Sequence, residues 1–573
     1  MFKNREITIK FCIVILINFI LIYIYDFKFD LTNDKRHTIS SETTSILRNL
    51  DDKIFIKIYL EGDLSKDLQY LQSEVINLLT SFKVIAGDKF DYEFISPDEE
   101  SDDIQKLYMQ IKKAGVLSRN IQSKEGFKVS QSIIFPGAVI YYKDQTKAVN
   151  FLEYSNSNFV DNQEINTSIE NLEYKFISAI YRVIQITNNK RDKIAFLNGN
   201  GELSEKELFD LTNSNDDENL QYHYDIEFFD IKSFKIDTSN KNSGDATINI
   251  IDYMANNFKA IIIAKPTIPF NPLEKFIIDQ YLMKGGRIIW FIDMVSADLD
   301  SLMNKPSFIA YKNELNLDDM FNHYGVNLGS NLIEDLKSTS IPIINSNKVN
   351  RKNYFPWPYY LLIKSNNNHL IVNNIGNVHT KFVSSIDTFY SKLNKKTILL
   401  NSSKNSRVNP TPAKISFQIA IKPPPISSFN KVNIPVGVLI EGKFISFFKD
   451  FLRDKSKSLT KSKETKMIFF ADGDIPKNRV VNEGKTWSPL GYDEFSKKIY
   501  SGNKNIVMNS IHYLCDDIKL FHLKEKQRLL ATIDKQKILK YRTLIQVINI
   551  IFPIILVLIF HYSFRLYKYK KYS

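Results

Sequence analysis

Two apolar runs, one near each end, constrain this chain more than any other feature. Phe11 to Tyr25 reads FCIVILINFILIYIY, with Asn18 as its only polar interior residue. With Ile7 and Ile9 ahead of Lys10 it reaches about 19 residues, enough to cross a hydrocarbon core of ~30 Å. Asp26, Phe27 and Lys28 follow it without a small-x-small cleavage pattern, so an uncleaved signal anchor is expected over 7–25. Leu544 to Phe560 reads LIQVINIIFPIILVLIF and is followed by Arg565, Lys568, Lys570 and Lys571. A second transmembrane helix is expected over 544–562. Gln546 and Asn549 are costly in lipid and should face another helix.

Charge does not orient these runs. Lys3, Arg5 and Lys10 precede the first, but Lys28, Lys35 and Arg36 follow it, and Lys535, Lys537, Lys540 and Arg542 precede the second. Parity does more: two spans put both short tails on one side and residues 26–541 on the other. The expectation is a chain held in the inner membrane through two helices, with its bulk in the periplasm.

That bulk reads as ordinary globular protein. Of 573 residues, 43% are hydrophobic and 24% charged, which excludes wholesale disorder and collagen-like repeats. A mean hydropathy of −0.23 excludes a polytopic protein with most of its mass in lipid. The net charge of +12 is spread over 573 residues, and no nucleic-acid partner is expected. Cys12 and Cys515 are the only cysteines, too few for a disulfide framework or a Cys-based zinc site.

Hydrophobic periodicity divides the soluble part. Residues 53–60 alternate as a half-buried strand, Leu68 to Phe82 fall at helical spacing, and Val139–Tyr142 with Ala148–Leu152 resemble a hairpin. These give a small α/β domain over 36–155. Ile165, Ile169, Leu172, Phe176, Ile180 and Val183 mark a connecting helix over 164–187. Beyond it, Lys193–Leu197, Ala260–Ala264, Arg287–Asp293, Thr397–Leu400, Val436–Ile440 and Met467–Ala471 are short apolar strands separated by helical patterns. Helices are expected at Leu273–Met283, Asp493–Tyr500 and Asn505–Leu514. Continuous apolar strands alternating with helices predict a doubly wound, mostly parallel α/β sheet over 190–520. A charged helical stalk is expected over 522–542.

The search for chemistry returns few positives. Gly484-Lys485-Thr486 resembles the tail of a P-loop, but the glycine required five residues earlier is Arg479. No HExxH or G-x-S-x-G pattern occurs, and Cys515 stands beside Asp516 and Asp517, which oppose thiolate formation. No enzyme activity, cofactor or metal is expected. What remains is the polar punctuation after the strands: Asn198, Gly199, Asn200, Gly201 and Glu202; Asp293; and Asp472 with Asp474 around Gly473. In open parallel sheets ligands bind outside the carboxyl ends of the strands, so these residues are the candidate ligand or partner face. Ordinary turns with capping roles are the alternative.

Several longer blocks carry a resemblance. Phe29–Thr32 with Asp34–Arg36, Tyr59–Leu64, Lys193–Leu203 (KIAFLNGNGEL), Lys275–Asp293 (KFIIDQYLMKGGRIIWFID), Leu315–Asp319, Phe355–Trp357, Leu439–Gly442 and Ala471–Asp474 resemble the auxiliary, often named substrate-binding, proteins of the gliding-motility ABC transporter of Bacteroidetes. His37 and Asn200 depart from that pattern. The resemblance implies a subunit beside a separate ATPase and a separate multi-span permease. It also implies a middle region similar to a glutamine amidotransferase sheet without its nucleophile, shared with a ciliary transport protein. The transported ligand stays unknown at this point. A membrane-tethered amidotransferase- or hydrolase-like enzyme and a cell-envelope scaffold remain open beside a non-enzymatic transport subunit.

Overall fold

A computed structural model describes residues 39–62, 64–96, 104–125, 128–152, 162–187, 191–213, 219–232, 243–302, 305–344, 352–365, 367, 369–373, 375–451, 458–481 and 486–515, with scattered positions from 546 to 569. The N-terminal part opens with helix α1 (Ser41–Arg48), whose Ser40 hydroxyl accepts the Thr43 N–H at 3.1 Å and so satisfies a free first-turn donor. Strand β1 (Ile54–Ile58) buries Ile54, Ile56 and Ile58 on one face, as period-two alternation requires. Helix α2 (Lys66–Ala86) returns the chain to β2 (Phe90–Phe94), which runs parallel to β1. A hairpin of β3 (Gly137–Tyr142) and β4 (Gln145–Asn150) adds to the other side of β1, giving the strand order β2-β1-β3-β4. Helix α3 (Asn162–Thr187) packs Ile165, Leu172, Phe176, Ile180 and Val183 into the core beneath this sheet.

The larger part is built on a seven-stranded sheet. Its strands are β5 (Lys193–Asn198), β6 (Asp225–Asp230), β7 (Phe258–Ala264), β8 (Arg287–Phe291), β9 (Asn394–Asn401), β10 (Pro435–Gly442) and β11 (Thr465–Phe470), in the order β9-β10-β11-β8-β7-β5-β6. The five from β11 to β6 are parallel; β10 pairs antiparallel with both β11 and β9. β7, β8 and β11 are almost wholly apolar because helices cover both faces of this region. Helix α4 (Ser243–Asn257) and helix α5 (Pro272–Met283) precede β7 and β8, and helix α6 (Gly502–Leu514) packs against β7, β8 and β11. Asn271 and Glu274 form a reciprocal capping box that starts α5, with Pro272 in its first turn.

The structure corrects the expected fold class. The architecture is mixed α/β with nine separate sheets among the described residues, not one doubly wound sheet beside a smaller domain. The chain between β8 and β10 is the main reason. It forms small antiparallel sheets, chief among them the strands Ser338–Ile344, Lys352–Lys364 and Asn377–His379. Lys352–Lys364 is rich in aromatic and aliphatic residues and buries the continuous run from Trp357 to Leu361, as a strand covered on both faces does. The expected helix over Asp493–Tyr500 is a tight hairpin of Tyr492–Asp493 with Lys498–Ile499. There the Asp493 carboxylate accepts the Phe495 N–H at 3.1 Å and the Ser496 hydroxyl at 2.6 Å, local bonds that compete with a helix.

The terminal transmembrane helices are corrected as well. Among the described residues no helix is long and apolar enough to cross a membrane. Residues 7–25 and the stalk at 522–542 lie outside the described residues, and 544–562 is described only in part, as helical positions. Gln546, Asn549 and Pro553 break the apolar character of that second run. Gln527–Ser573 form a packing unit of their own.

Candidate functional site

Three neighbouring parallel strands end together. Ala264 is in register with Phe291, and Phe291 with Phe470. The next backbone bonds, Lys265 N–H to the Phe291 carbonyl at 2.8 Å and Ile292 N–H to the Phe470 carbonyl at 2.9 Å, carry the alignment one residue further. Directly beyond lie Lys265, Asp293 and the turn Asp472-Gly473-Asp474. The carboxylates of Asp293, Asp472 and Asp474 all approach within 4.8 Å of one another. The Lys265 ammonium sits among them, 3.0 Å from Asp293 Oδ2 and 2.5 Å from Asp474 Oδ1.

Backbone donors complete the network. Gly473 N–H donates to Asp293 Oδ1 at 2.5 Å, and Asp474 N–H to Asp472 Oδ1 at 2.7 Å. The Lys381 N–H reaches Asp472 Oδ2 at 2.7 Å from a distant segment. Gly473 is required by proximity: a Cβ there would stand 2.7 Å from Lys265 Cγ and 3.1 Å from Asp293 Cγ. Lys265 itself takes a left-handed backbone, φ 53°, which turns its side chain into the cluster.

The charges settle each other. Burial pulls the Lys265 ammonium down, but Asp293 and Asp474 outweigh it and hold its pKa above the ordinary lysine value. Burial pushes Asp472 well above the usual carboxylate range, with Asp474 and Asp293 adding to it. Asp293 is also raised, chiefly by burial and against the pull of Lys265. For Asp474, burial is overcome by Lys265 and Lys381, and its pKa is lowered. Three carboxylates alone would suit a hard divalent cation. Here the lysine already supplies the cation, so the set is an internally compensated ionic network.

The candidate residues fall into two groups. Asp293, Asp472 and Asp474 come together. Asn198–Glu202 form a second group at the carboxyl end of β5. There Gly199 and Gly201 have φ of 122° and 74°, as only glycine readily allows. The Asn200 carbonyl accepts the Thr267 and Ile268 N–H groups at 2.9 and 2.8 Å. Its fully buried side chain donates to Glu274 Oε2 at 3.0 Å, and Glu202 Oε2 accepts the Asn200 N–H at 2.6 Å. Burial raises the Glu202 carboxyl. The segment Lys265–Ile268 links the groups, with its first residue in one and its last two in the other. Sequence reasoning missed Lys265; its signal was a lone cation between the apolar run of β7 and Pro266. It also missed Lys381, whose backbone amide on Asp472 and charge near Asp474 arise only from the fold of a distant segment. Gly484 and Lys485 of the P-loop-like stretch lie outside the described residues, and Cys515 is buried in the core.

The residues that build this strand-end network fall inside one family match. Residues 191–510 match the family described as an ABC-type uncharacterized transport system, auxiliary component. The chain belongs to this family. The match is to the transport-system auxiliary family as a whole and does not single out its gliding-motility members. Residues 33–141 match a second family, described as a domain of unknown function. A relative from Borreliella burgdorferi, itself described as an uncharacterized protein, is 25% identical over 469 residues, covering 79% of this chain and 81% of that one. A solved structure titled mmIFT52 N-terminal domain aligns over 56% of this chain and 97% of that one, at 12% identity and a TM-score of 0.30. That score is too low for a shared fold to be concluded.

Proposed function

We propose that the chain is a non-enzymatic auxiliary subunit of an ABC-type transporter, acting with a separate ATPase and a separate permease. Its loops at the carboxyl ends of the parallel strands are the surface a ligand or partner meets. The observation that carries this reading is the network of Lys265, Asp293 and Asp474. Acid–base catalysis needs a group poised near the working pH and within reach of a reacting atom. Lys265 is instead held charged by two carboxylates, and Asp474 is held ionised by two lysines. Such fixed, paired charges hold the surrounding strand-end loops rigid, as a recognition surface requires. The family match over 191–510 supports the transport setting. The resemblance of Lys193–Leu203 and Lys275–Asp293 to the gliding-motility auxiliaries supports a motility-linked transporter.

Tagged intact protein, purified from its native membrane fraction, is expected to bring an ABC ATPase and a permease with it by mass spectrometry. Recovery of neither would overturn the reading, and ATP hydrolysis by the purified chain alone would overturn its non-enzymatic part. A deletion strain that moves normally over a surface would limit the assignment to transport.

A further inference from the structure

The amino end of β11 differs sharply from its carboxyl end. Here β10 ends at Gly442 and β9 begins at Asn394, tied by Lys443 N–H to the Leu393 carbonyl at 3.0 Å and by Asn394 Nδ2 to the Lys443 carbonyl at 3.3 Å. Bonds from Ser446 N–H to the Thr460 carbonyl and from Ser462 N–H to the Phe444 carbonyl, both 2.9 Å, bring the two sides of the next excursion back to the same place. A cleft of about 660 Å³ lies along residues 388–396 and Glu441, and another of about 470 Å³ along Lys443 and Lys461–Glu464.

Over 387–396, 441–451 and 458–464 there are seven lysines and four acids. One of those acids, Glu441, is already engaged by the Tyr513 hydroxyl at 2.6 Å. Among the described residues, Lys392, Lys395, Lys443, Lys461 and Lys463 are exposed and make no ion pair. Large rings project beside Lys392 and Lys395 in the lining of the first cleft: Tyr390 is 88% exposed and Phe389 50%. Uncovered rings beside flexible, unpaired ammonium groups make an amphipathic surface. Rings of this kind enter the boundary between headgroups and acyl chains, while lysine stems let their charges rise to the phosphates.

We propose that this end of the sheet docks on anionic lipid headgroups, with Lys392, Lys395, Lys443 and Lys461 meeting phosphates and Tyr390 and Phe389 seated at the acyl boundary. An acidic protein face would share the charge complementarity. The two protruding rings favour the lipid, because a bilayer accepts them without a preformed pocket. The inference goes beyond the transporter-subunit reading and needs no transporter component for its test.

The test uses the intact chain with Tyr390→Trp as a local reporter, corrected by the parent protein, whose Trp290 and Trp357 are fully buried and whose Trp487 is half-buried. Vesicles of phosphatidylglycerol with brominated acyl chains are expected to quench the introduced indole, and brominated phosphatidylcholine vesicles are not. Adding Lys392→Ser and Lys395→Ser should weaken the phosphatidylglycerol effect by on the order of tenfold, given the attraction per lysine at an anionic surface. Raised salt should weaken it too, as the Debye length shrinks. Absence of quenching, or equal quenching by both lipids, overturns the proposal. Protection of the indole by polyglutamate without quenching by vesicles overturns it in favour of an acidic protein partner. Thermal unfolding of each variant at the parent temperature shows that the signal reports contact. Because only protein and vesicles are present, failure here leaves the transporter reading standing, and failure to recover an ATPase or permease leaves this one standing.

Discussion

The two ends of β11 handle charge in opposite ways. At the carboxyl end, Asp472 and Asp474 are buried or nearly so and share Lys265, Asp293 and three backbone amides. At the amino end, Lys461 and Lys463 stand in water without ion-pair partners among the described residues. The strand between is six residues long, ~20 Å. Desolvated charge must be satisfied inside the protein, so every group at the carboxyl end has an assigned neighbour. Hydrated charge costs little and can wait for an external partner. The first arrangement fixes geometry; the second leaves a long-range field.

The largest expected effect comes from breaking the buried end. Lys265→Met leaves Asp293 and Asp474 facing each other without the cation they share. Removing one partner of a buried ion pair costs ~3–5 kcal/mol, and urea unfolding should show that loss. Combining it with Asp474→Asn should restore part of it; no recovery would mean that the lysine packs there without compensating charge.

Next is an acid-sensitive neighbour. His379 lies on the segment that brings Lys381 to Asp472, and burial, helped by Lys381, lowers its pKa from 6.5 to about 4. Between those values the folded state binds fewer protons than the unfolded one. Stability present above pH 6.5 is therefore lost as the pH falls towards 4, by about 3 kcal/mol. The raised carboxyls of Asp293 and Asp472 act in the opposite sense, since their contribution is present at low pH and lost as the pH rises. The comparison of His379→Gln with the parent isolates the histidine: the variant should lose its share of the acid slope in a melting-temperature profile from pH 7 to 4.

Gly473→Ala should cost ~1–3 kcal/mol, the usual penalty for forcing atoms into a packed site. The added methyl meets Lys265 and Asp293. A neutral result would show that the ionic network is looser than its distances. The smallest effect sharpens the contrast from the other side. Lys461→Ser with Lys463→Ser should shift unfolding by under ~0.5 kcal/mol, as surface changes usually do. A larger loss would mean that the amino end is also wired into the fold.

The sequence made one half of this contrast easier to read than the other. Asp472-Gly473-Asp474 follows an apolar run and Asp293 ends another, so the acids announce themselves at strand ends. Lys265 does not, because one cation after a strand looks like a solvated terminus until the neighbouring strands converge on it. Asn198–Glu202 were legible as a polar turn, but their attachment to Thr267, Ile268 and Glu274 depends on strand order, which local pattern does not encode. The β-rich region between β8 and β10 was hidden for a similar reason. Lys352–Lys364 has strand composition, yet its partners at Ser338–Ile344 and Asn377–His379 are fixed by pairing at a distance. The hairpin at Tyr492–Ile499 turns on side-chain bonds from Asp493 that a helical spacing cannot reveal.

Asn503, in the first turn of α6, accepts the His379 N–H at 2.8 Å and returns a bond from its own amide to the His379 carbonyl at 2.8 Å. Its side chain thus imitates a neighbouring strand for a segment 124 residues earlier. Lys265 and Asp474 are 209 residues apart. On a ribosome the chain emerges from its N-terminus, and the first sheet and β5 to β8 can form while translation continues. The strand-end network cannot. Lys265 and Asp293 must wait, facing each other, until Asp474 has left the exit tunnel, and the segment carrying Lys381, already paired with Lys352–Lys364, gains its second clasp only when Asn503 follows. The part of the protein with the most exacting charge arrangement is therefore among the last to be made, and a nascent chain stalled before residue 474 would present an unfinished strand end to the cell's proteases and chaperones.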